Sequence, residues 1–229
     1  NGGIFLSLFN KVLASIGVGA ATVDTKLHKS SYTINEKVTG VVEVTGGNME
    51  QQIDAIYLTL YTSFVREVDD RKVNDQAALQ NFQINEPFII QANEKREIPF
   101  SFTLPTTVPV TAGKSRVWIH TGLDIKNAVD PKDTDYIDVQ PTRLASAVLS
   151  AVKSLGFRVR KIDTEQAPSY LRNRMKVVQE FEFTPINNTY RRHLDELELV
   201  FLEQSERSVE VLLQVDRRAR GLGGFLSEA

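Results

Sequence analysis

Apolar and polar residues alternate with a period of two through much of the chain. Ile56, Leu58 and Leu60 alternate with Tyr57, Thr59 and Tyr61, and Val117, Ile119, Thr121, Leu123 and Ile125 with Trp118, His120, Gly122 and Asp124. Ile98, Phe100, Phe102 and Leu104 alternate in the same way with Pro99, Ser101 and Thr103. A strand points successive side chains to opposite faces, so each run predicts a strand with one face in a core, Phe100 and Phe102 both inward. The pattern continues at Phe181/Phe183 with Glu180 and Glu182, at Leu197/Leu199/Phe201 with Glu196 and Glu198, and at Val209/Val211/Leu213/Val215 with Glu210, Gln214 and Asp216. Helical spacing shows only at 4–16, at 142–154 and, more weakly, at 222–228. In the middle stretch Leu144, Val148, Leu149 and Val152 form one apolar stripe behind Pro141 and the cap residue Thr142.

Strands without regularly interleaved helices, separated by turn signals such as Gly46-Gly47-Asn48 and Ile186-Asn187-Asn188, predict an all-β fold of antiparallel sandwiches. The length of 229 residues suits two such units, each with its own core. The boundary falls at Pro141, giving domains at 4–141 and 142–229, the second truncated at its end because an apolar pattern resumes at 221–229 and stops. The two halves also open alike. Residues 13–25 (LASIGVGAATVDT) and 152–164 (VKSLGFRVRKIDT) match at Ser15/Ser154, Gly17/Gly156, Asp24/Asp163 and Thr25/Thr164.

Composition narrows the function. The chain has no Cys, which excludes disulfides, Cys-ligated metals and Cys nucleophiles and points to a reducing, cytoplasmic compartment. The apolar run at 4–16 is broken by Ser7, Asn10, Lys11 and Ser15, too short to span a bilayer. Net charge is −2, with acidic residues in excess before position 141 and basic residues after it, and neither part reads as a nucleic-acid binder.

Catalytic chemistry finds little to stand on. His28, His120 and His193 are scattered, with no pair at ligand spacing, and no nucleophile elbow or phosphate-binding glycine loop occurs in its structural context. The expectation is a protein that is not an enzyme and holds no cofactor or metal. Asp130, Asp133, Asp135 and Asp138 are dense enough for Ca²⁺ but lack the Gly and Glu of an EF-hand loop, so they are expected in a solvated turn before the last strand of the first half. Asp69-Asp70-Arg71-Lys72 is expected as a hairpin loop.

Interaction residues are easier to nominate. Phe5, Phe9 and Leu13 share the apolar face of the first helix, suited to packing on protein, self-association as a dimer, or adsorption to a membrane. Arg158, Arg160 and Lys161, with Arg172, Arg174 and Lys176 and with Arg217 and Arg218, either converge on an acidic partner or are the outward residues of strands.

The run Ile98–Val110 with its Leu104-Pro105 loop, the strand Ser115–Ile125 and the closing Val129-Asp130-Pro131 resemble the amino-terminal domain of arrestins. Together with LASIGVGAATVDTKL near the start and Val41–Asn48 ahead of Ile53–Leu58, the chain closely resembles the bacterial sporulation-control protein M family over about residues 4–141. That resemblance implies an arrestin-like pair of β-sandwiches and a cytoplasmic role in tuning sporulation; the apolar spacing adds a short amino-terminal helix and a linker helix. The reading is a non-catalytic module that binds other proteins, by strand addition on an exposed edge. The alternative is a peripheral membrane scaffold using the first helix and the basic second half.

Overall fold

The computed structural model describes residues 19–69, 71–126 and 129–217. The stretches 4–16 and 222–228, and with them Phe5, Phe9, Leu13 and Arg218, lie outside the described residues.

Strands form where the alternation predicts them. A three-stranded antiparallel sheet joins β1 (Thr22–Leu27), β3 (Lys37–Thr45) and β7 (Lys95–Thr103) in that order. It faces a larger sheet built on β4 (Gln51–Val68), an 18-residue strand. On one side β4 pairs with β8 (Val117–Ile125), which pairs with β9 (Lys132–Gln140), beside which β2 (Ser31–Thr33) lies parallel. On the other side it pairs with β5 (Arg71–Gln83) and β6 (Phe88–Ile90). Val38, Val42, Phe100 and Phe102 of the first sheet and Ile56, Leu58, Leu60, Ile119 and Leu123 of the second are buried in one cluster. The expected loop at 69–72 is tighter than predicted: β4 and β5 are joined through Asp69 and residue 70, Asp69 takes a positive φ of 50°, and Arg71 already pairs with Val68.

The second half hangs on the far end of β4. There β10 (Phe157–Gln166) runs parallel to it, with Glu165 opposite Val65, and β11 (Val177–Pro185), β12 (Leu194–Gln204) and β13 (Val209–Arg217) follow antiparallel, each beside the last. Helix α1 (Arg143–Ser154) packs against β10 and β12 and buries Ala145 and Val152; Thr142 Oγ1 accepts the Ala145 N–H at 3.3 Å as its cap. A one-turn helix α2 (Asn188–Arg191) links β11 to β12. Among the described residues this half is one sheet with α1 on its inner face and with Ala167, Leu171 and Met175 packed against Val200 and Leu202 on the other, where the alternation predicts a sandwich of two sheets. The four strands supply a single layer, and α1 occupies the inner face that a second layer would cover.

The two apolar interiors also run together, where separate cores were expected on either side of Pro141. Phe157, Phe181, Phe183, Leu197, Leu199 and Phe201 belong to the same buried cluster as Val110, Ile137 and Val139. Buried hydrogen bonds tie the join: the Gln179 amide accepts from Val110 N–H at 2.9 Å and donates to its carbonyl at 2.8 Å, and Ser115 and Thr164 hydroxyls meet at 2.5 Å. Buried amides and hydroxyls must be paired in this way to be tolerated.

The repeated opening has a structural counterpart. Gly156, at φ 91°, leads into β10 and sits under Asn187; Gly19, at φ 72°, precedes β1 and sits under Asn48. A side chain at either would collide with that Asn and would hold a conformation L-residues avoid. Gly17, which the alignment sets against Gly156, lies outside the described residues, and Gly19 is the described glycine with the same environment. Downstream the copies agree: Thr25 is buried against Thr121 Oγ1 at 2.6 Å as Thr164 is against Ser115, while Asp24 and Asp163 each reach a Lys.

Candidate interaction surface

The outer face of the second sheet is built by a bulge. In β10, Val159 opposes Phe183 and Lys161 opposes Glu182, so Arg160 is an extra residue, and both cations face one carboxylate. Glu182 is 7% exposed. Arg160 reaches it at 2.7 Å and Glu196 at 2.9 Å; Lys161 reaches Asp163 at 2.5 Å and Glu182 at 3.3 Å. The Glu182 hydrogen bond holds the Arg160 guanidinium above its ordinary range, and Asp163 does the same for Lys161. The bulge also returns Ile162 and Thr164 to the inner face, which puts the second copy of the repeat in phase with the first.

Carboxylates outnumber cations on this face. Burial, then the neighbouring Glu180, push Glu198 up to about 6; Glu180 and Glu196 are also raised, burial being the largest cause for both. Arg158 stands apart, its Nε 3.4 Å from Thr184 Oγ1 beside a cleft lined by Ile186, Arg191 and Asp195. Arg174 is held by Glu210 at 2.5 Å and 3.0 Å, Arg172 by the Ala167 carbonyl at 3.0 Å. The cations that the sequence suggests as one basic face are therefore dispersed among carboxylates and carbonyls. Arg217 closes β13; its side chain, like Arg218, lies outside the described residues.

The Asp-rich stretch is a strand and not the solvated turn expected of it. Asp133 and Asp135 share the inward phase of Ile137 and Val139 in β9, because pairing with β8 continues from Ile137 to Lys132. Asp133 accepts the Thr25 N–H at 2.7 Å, so a side chain finishes the free edge of β1. Asp135 lies beside it with a buried oxygen that lacks a hydrogen-bond partner, and burial, Asp133 and then Asp24 raise its pKa to about 6. Asp130 accepts from Ile125 N–H at 3.1 Å, and Asp138 takes Ser31 and Gln140. Among the described residues no three His, Asp or Glu side chains form a metal-sized group, and no helix is long and apolar enough to cross a membrane.

Of the histidines, His28 meets Thr39 Oγ1 at 3.0 Å, and His120 meets Thr134 at 3.3 Å and the edge of Tyr61. His120 belongs to an outward aromatic ladder of Tyr61, Trp118 and Tyr136 across β4, β8 and β9, with rings 5.7 and 5.8 Å apart. This ladder is not among the surfaces predicted from the sequence. Its signal was present, since each ring occupies the outward position of an alternating strand.

The surface most open to another chain is β13. Among the described residues it pairs only with β12 and ends the sheet. Leu212 is 40% exposed, Leu213 53% and Val215 43%. Adjacent Leu212 and Leu213 put apolar groups on both faces of the strand. From 209 to 216 it carries neither Lys nor Pro, the residues that usually blunt an edge.

A sequence profile described as SpoOM protein matches residues 9–219. The chain belongs to the SpoOM protein family. It is 45% identical over 223 residues to the sporulation-control protein spo0M of Bacillus subtilis strain 168, an alignment covering 97% of this chain and 86% of that protein. The crystal structure of Bacillus subtilis Spo0M superposes with a TM-score of 0.82 at 44% identity, covering 90% of this chain and 83% of that one. The β-rich SpoOM fold is thus common to both proteins.

Proposed function

We propose that this chain is a non-catalytic regulator of sporulation that works in the cytoplasm by binding other polypeptides. The regulatory role rests on kinship with the sporulation-control protein spo0M. We read the two facing sheets of the first half as arrestin-like, with the second half following through α1. The observation that carries the binding mode is β13, an exposed apolar edge whose unpaired backbone groups suit strand addition, where main-chain hydrogen bonds supply affinity.

The test is complementation. Bacillus subtilis lacking its own sporulation-control protein receives either this chain or a Leu213→Lys variant, which puts a charge on the open edge at a site already half exposed. The wild-type chain restores normal spore counts, and the variant, folded with a similar melting temperature, does not. Equal rescue by both would remove β13 from the function.

A further inference from the structure

We infer that the strand added at β13 is β13 of a second copy of this chain, giving a two-fold dimer with one sheet continuous across the interface. This rests on the proposed role of the β13 edge and names its occupant. The argument is the self-complementarity of the strand. Opposed residues in antiparallel pairing point to the same face, and β13 alternates Val209, Val211, Leu213 and Val215 on the inner face with Glu210, Leu212, Gln214 and Asp216 on the outer face.

Pairing about Leu212 sets Val209 opposite Val215 and Val211 opposite Leu213, so the exposed inner residues meet each other. On the outer face Leu212 meets its own copy, Glu210 meets Gln214, and Asp216 meets Ser208. Sliding the register by two residues one way sets Glu210 against Asp216, and the other way sets Glu210 against Leu212. Like charges directly opposite destabilise a pair, whereas apolar pairs stabilise it. The Leu212-centred register keeps the apolar pairs and avoids both conflicts. Arg174 already neutralises Glu210, with contacts at 2.5 and 3.0 Å, so its approach to Gln214 carries no unpaired charge. A net charge of −2 over the whole chain sets up little long-range repulsion between copies.

The other free strand edge of the long hairpin makes the contrast. β5 begins Arg71-Lys72, carries Asp75 and is bulged at Leu79, between the pairs Leu60/Gln80 and Tyr61/Ala78. Those are devices that block edge-to-edge pairing. β13 carries Glu210 and Asp216 as well, but from 209 to 216 it has neither Lys nor Pro, and the extra residues at the two irregularities of its pairing belong to β12.

The absence of Cys makes the test direct. Leu212→Cys in the full chain places one thiol on the dimer axis, where facing Cα atoms in a sheet lie within disulfide range. Wild type is expected to sediment as a dimer at micromolar concentration. Leu212→Cys is expected to cross-link to a dimer under mild oxidant, whereas Gln214→Cys alone cross-links poorly and does so well when mixed with Glu210→Cys. Leu212→Lys and Leu212→Glu are each expected to weaken the dimer by on the order of tenfold, and their mixture to recover it. A monomeric wild type, or a dimer in which Leu212→Cys does not cross-link, overturns the inference. A monomer whose β13 edge amides are protected would assign the edge to another strand of the same chain. Failure here with loss of sporulation rescue by Leu213→Lys would leave the edge reading standing with a different partner. A cross-linked dimer whose Leu213→Lys form rescues fully would do the reverse.

Discussion

Among the described residues the two halves of this molecule cover their sheets differently. In the first, two sheets bury a shared interior, and two of the edges carry devices of their own: Asp133 caps the amide of Thr25 on β1, and charges and a bulge blunt β5. In the second, a single sheet carries α1 on its inner face near β10 and β12, and its last strand leaves Leu213 and Val215 about half exposed. The strands of both halves come from the same alternation, so the difference lies in the covering layers. A layer completed within the chain asks nothing of a partner; an apolar strand with one neighbour offers both a face and a row of unpaired backbone groups.

The largest expected effect separates the two interiors. Phe102 is buried between Phe82 and Phe100, with ring centroids 4.6 and 6.2 Å away, and Phe102→Ala should cost about 3 to 5 kcal/mol in denaturant unfolding. Leu213→Ala should cost below about 1 kcal/mol in the monomer, because little of that side chain is covered. Equal losses would mean that β13 is as well covered as β7 and would erase the distinction.

A smaller effect comes from the carboxyl that lies beside the closed edge of β1. Folded, Asp135 keeps its proton up to about pH 6, whereas its ordinary value is 3.8. The folded state binds more protons between those limits, so stability falls as pH rises through that window, and Glu198 acts in the same direction from 4.5 to about 6. Asp135→Asn cannot ionise and still has a donor for Asp133. It should raise stability at pH 7 by on the order of 1 kcal/mol after solvent screening, with little change near pH 4, in melts at the two pH values. A gain at pH 4 as large as at pH 7 would contradict the assignment.

The smallest effect lies on the outer face of the second sheet. Arg160→Ala removes contacts to Glu182 and Glu196, but the guanidinium is half exposed, so the expected loss is below about 1 kcal/mol and shrinks in high salt. A loss comparable to Phe102→Ala would make this network structural.

How far the sequence could be read follows from which signals are local. Alternation located β4, β7, β8, β11 and β12, and placed Phe100 and Phe102 inward, because burial of one strand face leaves its mark in consecutive residues. The Asp-rich strand β9 was misread as a turn because polarity there reflects side chains that finish another strand's edge, a contact 108 residues away in sequence. The single layer of the second half escaped for a similar reason: alternation reports that a face is covered, not whether a sheet or a helix covers it. Arg160 and Lys161 looked like part of a basic face because Glu182 and Glu196 come from β11 and β12, and the bulge that turns both cations toward Glu182 has no signature in composition. Leu212-Leu213 was the legible part of the interaction surface, since two adjacent apolar residues in a strand must face opposite ways.

On this reading β13 is an open edge that another strand joins, while β5 is closed to such pairing. Amide hydrogen exchange on the wild-type chain, measured over a range of protein concentrations, tests it most directly, because alternate amides of an edge strand face away from their only neighbour. The account predicts that protection in 209–216 rises with concentration while protection in 71–83 stays constant. Protection in 209–216 that is independent of concentration, or a rise in 71–83 instead, would contradict it.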